Sequence, residues 1–220
     1  MTTALGRDEI AHMFAAAARR VREEHQRLSE LDSVGGDGDH GTTMLRVVEK
    51  LEQAAAENLA CGPGVLLKNA GWSVLEVDGG ASSSLFGTFL AGMAEVPEAE
   101  AALDTAGLAR AFASGLAALS RHTKAQPGDK TMLDALSPAA HALSEAALAG
   151  RSITQALSEA ARAARTGAEA TAGLVARFGR ARYLGEKTRG YPDPGAVSVS
   201  LILEGFCRAL SGAEGESKNA

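Results

Sequence analysis

The chain has 220 residues, enough to bury a core without disulfides, and 45% of them are apolar, which excludes a disordered chain. With 22 Lys and Arg against 27 Asp and Glu, the net charge of −5 excludes a generally basic nucleic-acid binder and argues against a polybasic membrane anchor. Alanine occurs 45 times and aromatics make up only 4%, a mix that suits closely packed helices and suits a β-sandwich poorly.

Ile10, Met13, Phe14, Ala17 and Val21 recur at three- and four-residue steps, which predicts a first helix over 7–29. A glycine-rich break over 35–41 follows, then a second helix over 42–60 that ends near Gly62-Pro63-Gly64. A third runs over 64–77 and stops before Gly79-Gly80; a fourth runs from Ser82 to 95, before Pro97. A fifth spans 105–122, with Leu108, Phe112, Leu116 and Leu119 on one face. After Pro127-Gly128-Asp129-Lys130 a sixth continues to Ala149, and a seventh covers 152–177. Residues 178–193 read as irregular. The last helix begins at Pro194, with Asp193 as N-cap and Pro at the first helical position. Leu201-Ile202-Leu203 also reads as a short strand, but it lies within a helical period.

These signals predict an all-α domain of eight helices over 1–212, with a flexible polar tail over 213–220. Cys61 and Cys207 do not make a disulfide framework. No N-terminal basic-then-apolar stretch reads as a signal peptide, and no run reaches the ~18 apolar residues of a membrane span, so a cytoplasmic protein is expected. Glycines and small polar residues cluster at 35–43, 79–84, 127–131 and 190–195, ahead of helices two, four, six and eight. In an up-and-down array, alternate connections lie at the same end, so these four are expected to meet.

Each cluster has a plain reading and a chemical one. Asp32, Asp37 and Asp39 repel one another unless a cation sits between them, and Mg²⁺ accepts a few carboxylates and completes its octahedron with phosphate and water. The alternative is a polar turn whose aspartates cap the next helix. Gly79-Gly80-Ala81-Ser82-Ser83-Ser84 is either an anion site at a helix N-terminus or an ordinary serine cap. In Pro127 to Asp134, Thr131 and Asp134 form a capping-box variant, or else Lys130 points at phosphate while Met132 packs on a base. The basic segment 177–195 either closes over a polyanion or is a solvated loop.

Two literal matches fail. Gly36-x-Gly38-x-x-Gly41 lacks a preceding strand and places acids where a pyrophosphate would lie. Asp37-x-Asp39 opens like a calcium loop, but Gly41, Thr42 and Val48 occupy its later key positions. His12, His25, His122 and His141 show no metal-ligand spacing.

The order of the clusters is more specific than any one of them. Gly36-Asp37-Gly38-Asp39-His40-Gly41-Thr42-Thr43-Met44, Gly79-Gly80-Ala81-Ser82, Pro127-Gly128-Asp129-Lys130-Thr131-Met132, Tyr183-Leu184-Gly185-Glu186 and Asp193-Pro194-Gly195-Ala196 together resemble the DhaL family, the nucleotide (ADP)-binding subunits of dihydroxyacetone kinases. The resemblance extends from residue 7 to 212. It implies a closed barrel of eight antiparallel amphipathic helices, with ADP or ATP and two Mg²⁺ bound at one end. By it, Asp32, Asp37 and Asp39 match the metal ligands. His40, Gly41, Thr42 and Thr43 match the phosphate segment, and Ala81 and Ser82 the next contact. Met132, Arg180, Asp193, Pro194 and Gly195 match nucleotide-pocket positions. Thr123 falls where the family often has a glycine contact, beside an apparent one-residue insertion between Ser120 and Pro127.

The resemblance further implies that the ketose sits on a separate DhaK-like subunit, so that this chain acts only with that partner. The phosphoryl donor is either a DhaM-like phosphotransferase-system protein that recharges bound ADP, or exchanging ATP. No residue of this chain is expected to become phosphorylated; Asp37, Asp39 and Arg180 support the transfer by charge. A second copy of the chain is a further candidate partner. Ser83-Ser84 replaces the family's usual Gly-Pro, and the added hydroxyls are expected to alter either the phosphate contacts or the closing loop. A non-catalytic nucleotide-sensing module that regulates a partner is the alternative function, and a plain helical interaction protein is the third.

Overall fold

The computed structural model describes residues 3–95 and 101–216. Its helices are α1 (Arg7–Ser33), α2 (His40–Glu57), α3 (Pro63–Leu75), α4 (Gly80–Met93), α5 (Thr105–His122), α6 (Leu133–Leu148), α7 (Ile153–Ala170) and α8 (Pro194–Glu216). Short 3-10 segments occupy Thr171–Gly173 and Arg180–Thr188. Among the described residues the only β-type pairing is an isolated bridge, in which Leu5 and Leu103 exchange backbone hydrogen bonds of 2.7 and 2.9 Å.

Each helix packs on its neighbours in sequence, and α8 returns to pack on α1. The apolar stripe of α1 (Ile10, Met13, Phe14, Ala17, Val21, Leu28) is buried, and Leu201-Ile202-Leu203 lies buried within α8 as helix. Small residues set the spacing of these seams. A Cβ on Gly205 would lie 2.4 Å from the Cα of Ala17, so α8 and α1 approach backbone to backbone. Interiors pack to crystal-like density, and alanine and glycine let long helices meet that closely. Aromatic rings plug the wider gaps: Phe14 meets Phe206 at 6.3 Å, and Phe89 meets Phe112 edge-on at 5.3 Å. Glu204 of α8 ties three elements, accepting Arg20 of α1 at 3.4 Å, Arg165 of α7 at 3.4 Å and Arg208 of its own helix.

The helix boundaries differ from the sequence expectation where tertiary contacts decide. α1 runs past residue 29 to Ser33, which carries Asp32 on its last turn. α7 stops at Ala170 instead of 177, because Thr171 turns the chain into a 3-10 step and donates its hydroxyl to Ala168 O. The segment read as irregular holds a 3-10 run kinked at Gly185 (φ 56°, ψ −129°), a backbone position suited to glycine. α8 continues to Glu216, into the stretch read as a tail, and residues 217–220 lie outside those described. Pro97, read as a stop for the fourth helix, also lies outside them. No helix among the described residues is long and apolar enough to cross a membrane.

Candidate functional site

The connections ahead of α2, α4, α6 and α8 meet at one end of the molecule and line one cavity of about 610 Å³. That size falls within the range of small-molecule sites. Asp32, Asp37, Asp39, His40, Ala81, Ser82, Thr123, Met132, Arg180, Asp193, Pro194 and Gly195 all line it. Gly41, Thr42 and Thr43 do not; they form the first turn of α2 behind His40, with Gly41 and Thr43 buried and Thr42 exposed.

The acidic wall is built by the glycines. Asp32 O accepts from Gly35 N at 3.0 Å and Gly36 N at 2.6 Å, and its Oδ2 accepts from Gly38 N at 2.9 Å. Gly38 turns at φ 77°, and a Cβ on Gly36 would sit 2.3 Å from Asp32 Oδ1. The result places one oxygen of each of Asp32, Asp37 and Asp39 within 4.8 Å of the others. Asp39 stands at the N-cap position of α2 but makes no capping hydrogen bond, so the capping reading does not describe it.

Charge within the cluster is uneven. Burial, with Asp37 and Asp32 nearby, raises the Asp39 carboxyl above its ordinary range. Asp37 is lowered by its hydrogen bond to the Arg180 guanidinium. Both partners of that ion pair are open to water, at 50% and 69% exposure, so the contact is exchangeable. Three converging hard oxygens fit a magnesium-type cation, and Arg180 supplies the positive charge facing them in this structure.

His40 opens α2 at the centre of the pocket wall. Its ring lies between Ser82 Oγ of α4, 3.1 Å from Nδ1, and Ser198 Oγ of α8, 2.8 Å from Nε2. Burial lowers its pKa, which keeps the ring neutral. Ser83 is turned the other way. It is buried and donates to Val77 O at 2.8 Å, and Ser84 lies exposed outside the pocket. The expectation that these hydroxyls alter phosphate contacts is therefore corrected: Ser83 serves the local turn.

On the far wall, Asp193 caps α8 as the sequence suggests, accepting Ala196 N at 2.8 Å. Its own N–H reaches Thr171 Oγ1 at 2.8 Å. Burial pushes its carboxyl up to about 7. The capping-box reading of Thr131 and Asp134 also fits: Asp134 Oδ2 accepts Thr131 N at 2.8 Å, and Thr131 Oγ1 accepts Leu133 N at 3.3 Å. Lys130 is not free for phosphate. It is buried at positive φ (62°), and its ammonium donates to Thr171 O at 2.6 Å and Tyr191 O at 2.5 Å. Burial lowers its pKa.

Of the basic loop, Arg180 faces the carboxylates, while Arg177 pairs with Asp129, Arg182 covers the Tyr183 ring at 4.6 Å, and Arg189 pairs with Glu186. Leu85, Phe86, Leu119, Leu133 and Phe178 give the pocket an apolar half beside Met132. Sequence reasoning missed Ser198 and Thr171. Ser198 lies one turn into α8 after Pro194, and that offset was its one available signal.

A DAK2 domain model matches residues 34–208. The chain is 37% identical over 204 residues to the ADP-binding subunit DhaL of the PEP-dependent dihydroxyacetone kinase of Escherichia coli, covering 91% of this chain and 95% of that subunit. It is 35% identical to the L-erythrulose kinase of Pectobacterium atrosepticum, covering 91% of this chain but 35% of that longer enzyme. Among solved structures, the dihydroxyacetone kinase of C. freundii in complex with AMP-PNP and Mg²⁺ matches with a TM-score of 0.68 at 27% identity, over 93% of this chain and 33% of that one. The chain is thus as long as the subunit-type relative and about a third of the larger kinases. With the family model spanning most of its length and the close match to DhaL, the chain belongs to the DhaL family of DAK2 domains.

Proposed function

We propose that this chain is the nucleotide-binding subunit of a dihydroxyacetone-type, short-chain ketose kinase. The observation that carries the reading is the joining of three carboxylates and an exchangeable arginine to an apolar half-pocket in one cavity. That combination suits a magnesium-bound nucleotide, whose phosphates need cations and whose base needs apolar walls. The relatives' names add the rest: an ADP-binding subunit in one, and an AMP-PNP and Mg²⁺ complex in another.

In this reading Asp32, Asp37 and Asp39 hold two Mg²⁺, which when bound neutralise phosphate charge and align the terminal phosphoryl group. Arg180 leaves Asp37 for the phosphates. The N-termini of α2 and α4 face the same anion, with His40, Ala81 and Ser82 at the cavity wall and Gly41, Thr42 and Thr43 backing them in the first turn of α2. Met132 and the wall around Thr123, Asp193, Pro194 and Gly195 enclose the nucleoside. Charge and alignment supply the catalysis, and the chain itself takes no covalent phosphate.

The acceptor is a ketose on a separate DhaK-like subunit. The donor is a DhaM-like phosphotransferase protein that recharges bound ADP, or else ATP that exchanges. The test is calorimetric titration of Mg-ADP and Mg-ATP into the protein, together with nucleotide analysis before and after EDTA. Binding that requires Mg²⁺ and disappears in both Asp37→Ala and Asp39→Ala supports the site. At about one hundred times Kd the ligand should add about 2.7 kcal/mol to stability. Full affinity in both variants would remove the metal assignment. ADP that survives purification and leaves with EDTA favours the coenzyme mode, whereas an empty protein that binds ATP favours exchange.

A further inference from the structure

The ring of His40 joins a hydroxyl of α4 to one of α8; two proton arrangements could satisfy both contacts, and a third hydrogen bond selects between them. Ser198 Oγ donates to Pro194 O at 3.0 Å, one turn back along α8. A serine hydroxyl has a single proton, and that bond commits it. Toward His40, at 2.8 Å, Ser198 therefore accepts, and Nε2 carries the hydrogen. In the neutral ring Nδ1 is then bare and accepts from Ser82 at 3.1 Å. The Ser82 proton points into the ring, and its remaining lone pairs face the cavity.

We propose that Ser198 is a positioning residue that fixes the His40 tautomer and, through it, presents Ser82 to the bound metal–nucleotide as a lone-pair donor rather than a proton donor. Ser82 then favours a cation or a cation-bound water, while backbone N–H groups at the start of α4 serve the phosphate oxygens. The assignment follows from three hydrogen bonds that share their protons, each spanning two elements or one helical turn. It also explains why Ser198, which lies beyond the pocket lining, is fully buried against His40.

The functional half of this inference rests on the nucleotide-kinase reading; the tautomer half does not. The test is long-range ¹H–¹⁵N correlation of histidine side chains in the full chain, combined with Mg-ADP titration. Wild type should show His40 protonated at Nε2 and bare at Nδ1. Ser198→Ala should move the ring toward the other tautomer and weaken Mg-ADP about fivefold, in line with one lost neutral hydrogen bond. Ser198→Thr, which keeps the hydroxyl, should restore both. Ser82→Ala should leave the Nε2–H tautomer in place, because Ser198 sets it, and this variant serves if Ser198→Ala does not fold. An unchanged tautomer with unchanged affinity in Ser198→Ala, or an inverted ring in Ser82→Ala, would overturn the proposal. Wild type that holds the Nε2–H tautomer but ignores Mg-ADP would overturn the kinase reading and the role given to Ser82, and leave the tautomer assignment standing.

Discussion

Replacing Asp193 with Asn isolates one electrostatic cost of building the pocket. The Asp193 carboxyl rises from 3.8 to about 7, chiefly through burial, with Asp134 adding to the rise and Lys130 and the bonds from Ala196 and Gly195 opposing it. Between those two values the native state binds more protons than the unfolded chain, so stability falls as pH rises. The contribution is fully present below 3.8 and is lost above about 7. The whole shift corresponds to about 4 kcal/mol at 1.36 kcal/mol per unit. The residue as a whole keeps some exposure although its carboxyl is buried, and an effective dielectric of about 20 reduces the usable share to about 1–2 kcal/mol. Asn caps a helix as well as Asp does, so Asp193→Asn keeps the bond from Ala196 and removes the titration. Urea unfolding of both proteins from about pH 4 to about pH 8 cancels in the difference every titrating group that does not interact with Asp193, leaving its own titration and its coupling to Lys130 and Asp134. The variant should match wild type near pH 4 and exceed it by about 1–2 kcal/mol near pH 8. A difference that stays flat across that range would refute the reasoning.

Gly41→Ala forces a Cβ to within 1.9 Å of His25 O, so α1 and α2 must separate. Overpacking of this kind costs about 1–3 kcal/mol, and a urea midpoint equal to wild type would contradict the contact. Lys130→Met removes the ammonium and leaves Thr171 O and Tyr191 O without it. Thr171 O keeps its bond from Leu174 N and Tyr191 is half exposed, so the loss is that of charge-assisted hydrogen bonds, about 1.5–3 kcal/mol, and since Thr171 also receives Asp193 N, Mg-ADP affinity should fall with stability. Unchanged denaturation and binding would show that the ammonium is not what holds these strands of chain together.

What the sequence displayed and what it hid divide along a physical line. Asp193 and Pro194 mark the start of α8 because capping is a local affair, settled within four residues of chain. The acidic turn was legible for the same reason: Asp32 bonds to Gly35, Gly36 and Gly38, all within six positions. The convergence of four connections followed from the alternation of helices, which needs element order and no distances. Lys130 shows where that kind of reasoning stops. A lysine in a glycine loop beside an expected phosphate site leaves a phosphate ligand as one of two open readings, yet its partners are carbonyls 41 and 61 positions away. Ser198 shows it more sharply. It and Ser200 occupy the same Val-Ser-Val-Ser run, and only the approach of α2 to α8 makes one of them the partner of His40 while the other bonds within its own helix. A hydroxyl's role is fixed by which acceptor takes its proton, and that acceptor is chosen by tertiary packing. Local chemistry therefore announces where such a site is, whereas the direction in which its protons point is a property of the assembled fold.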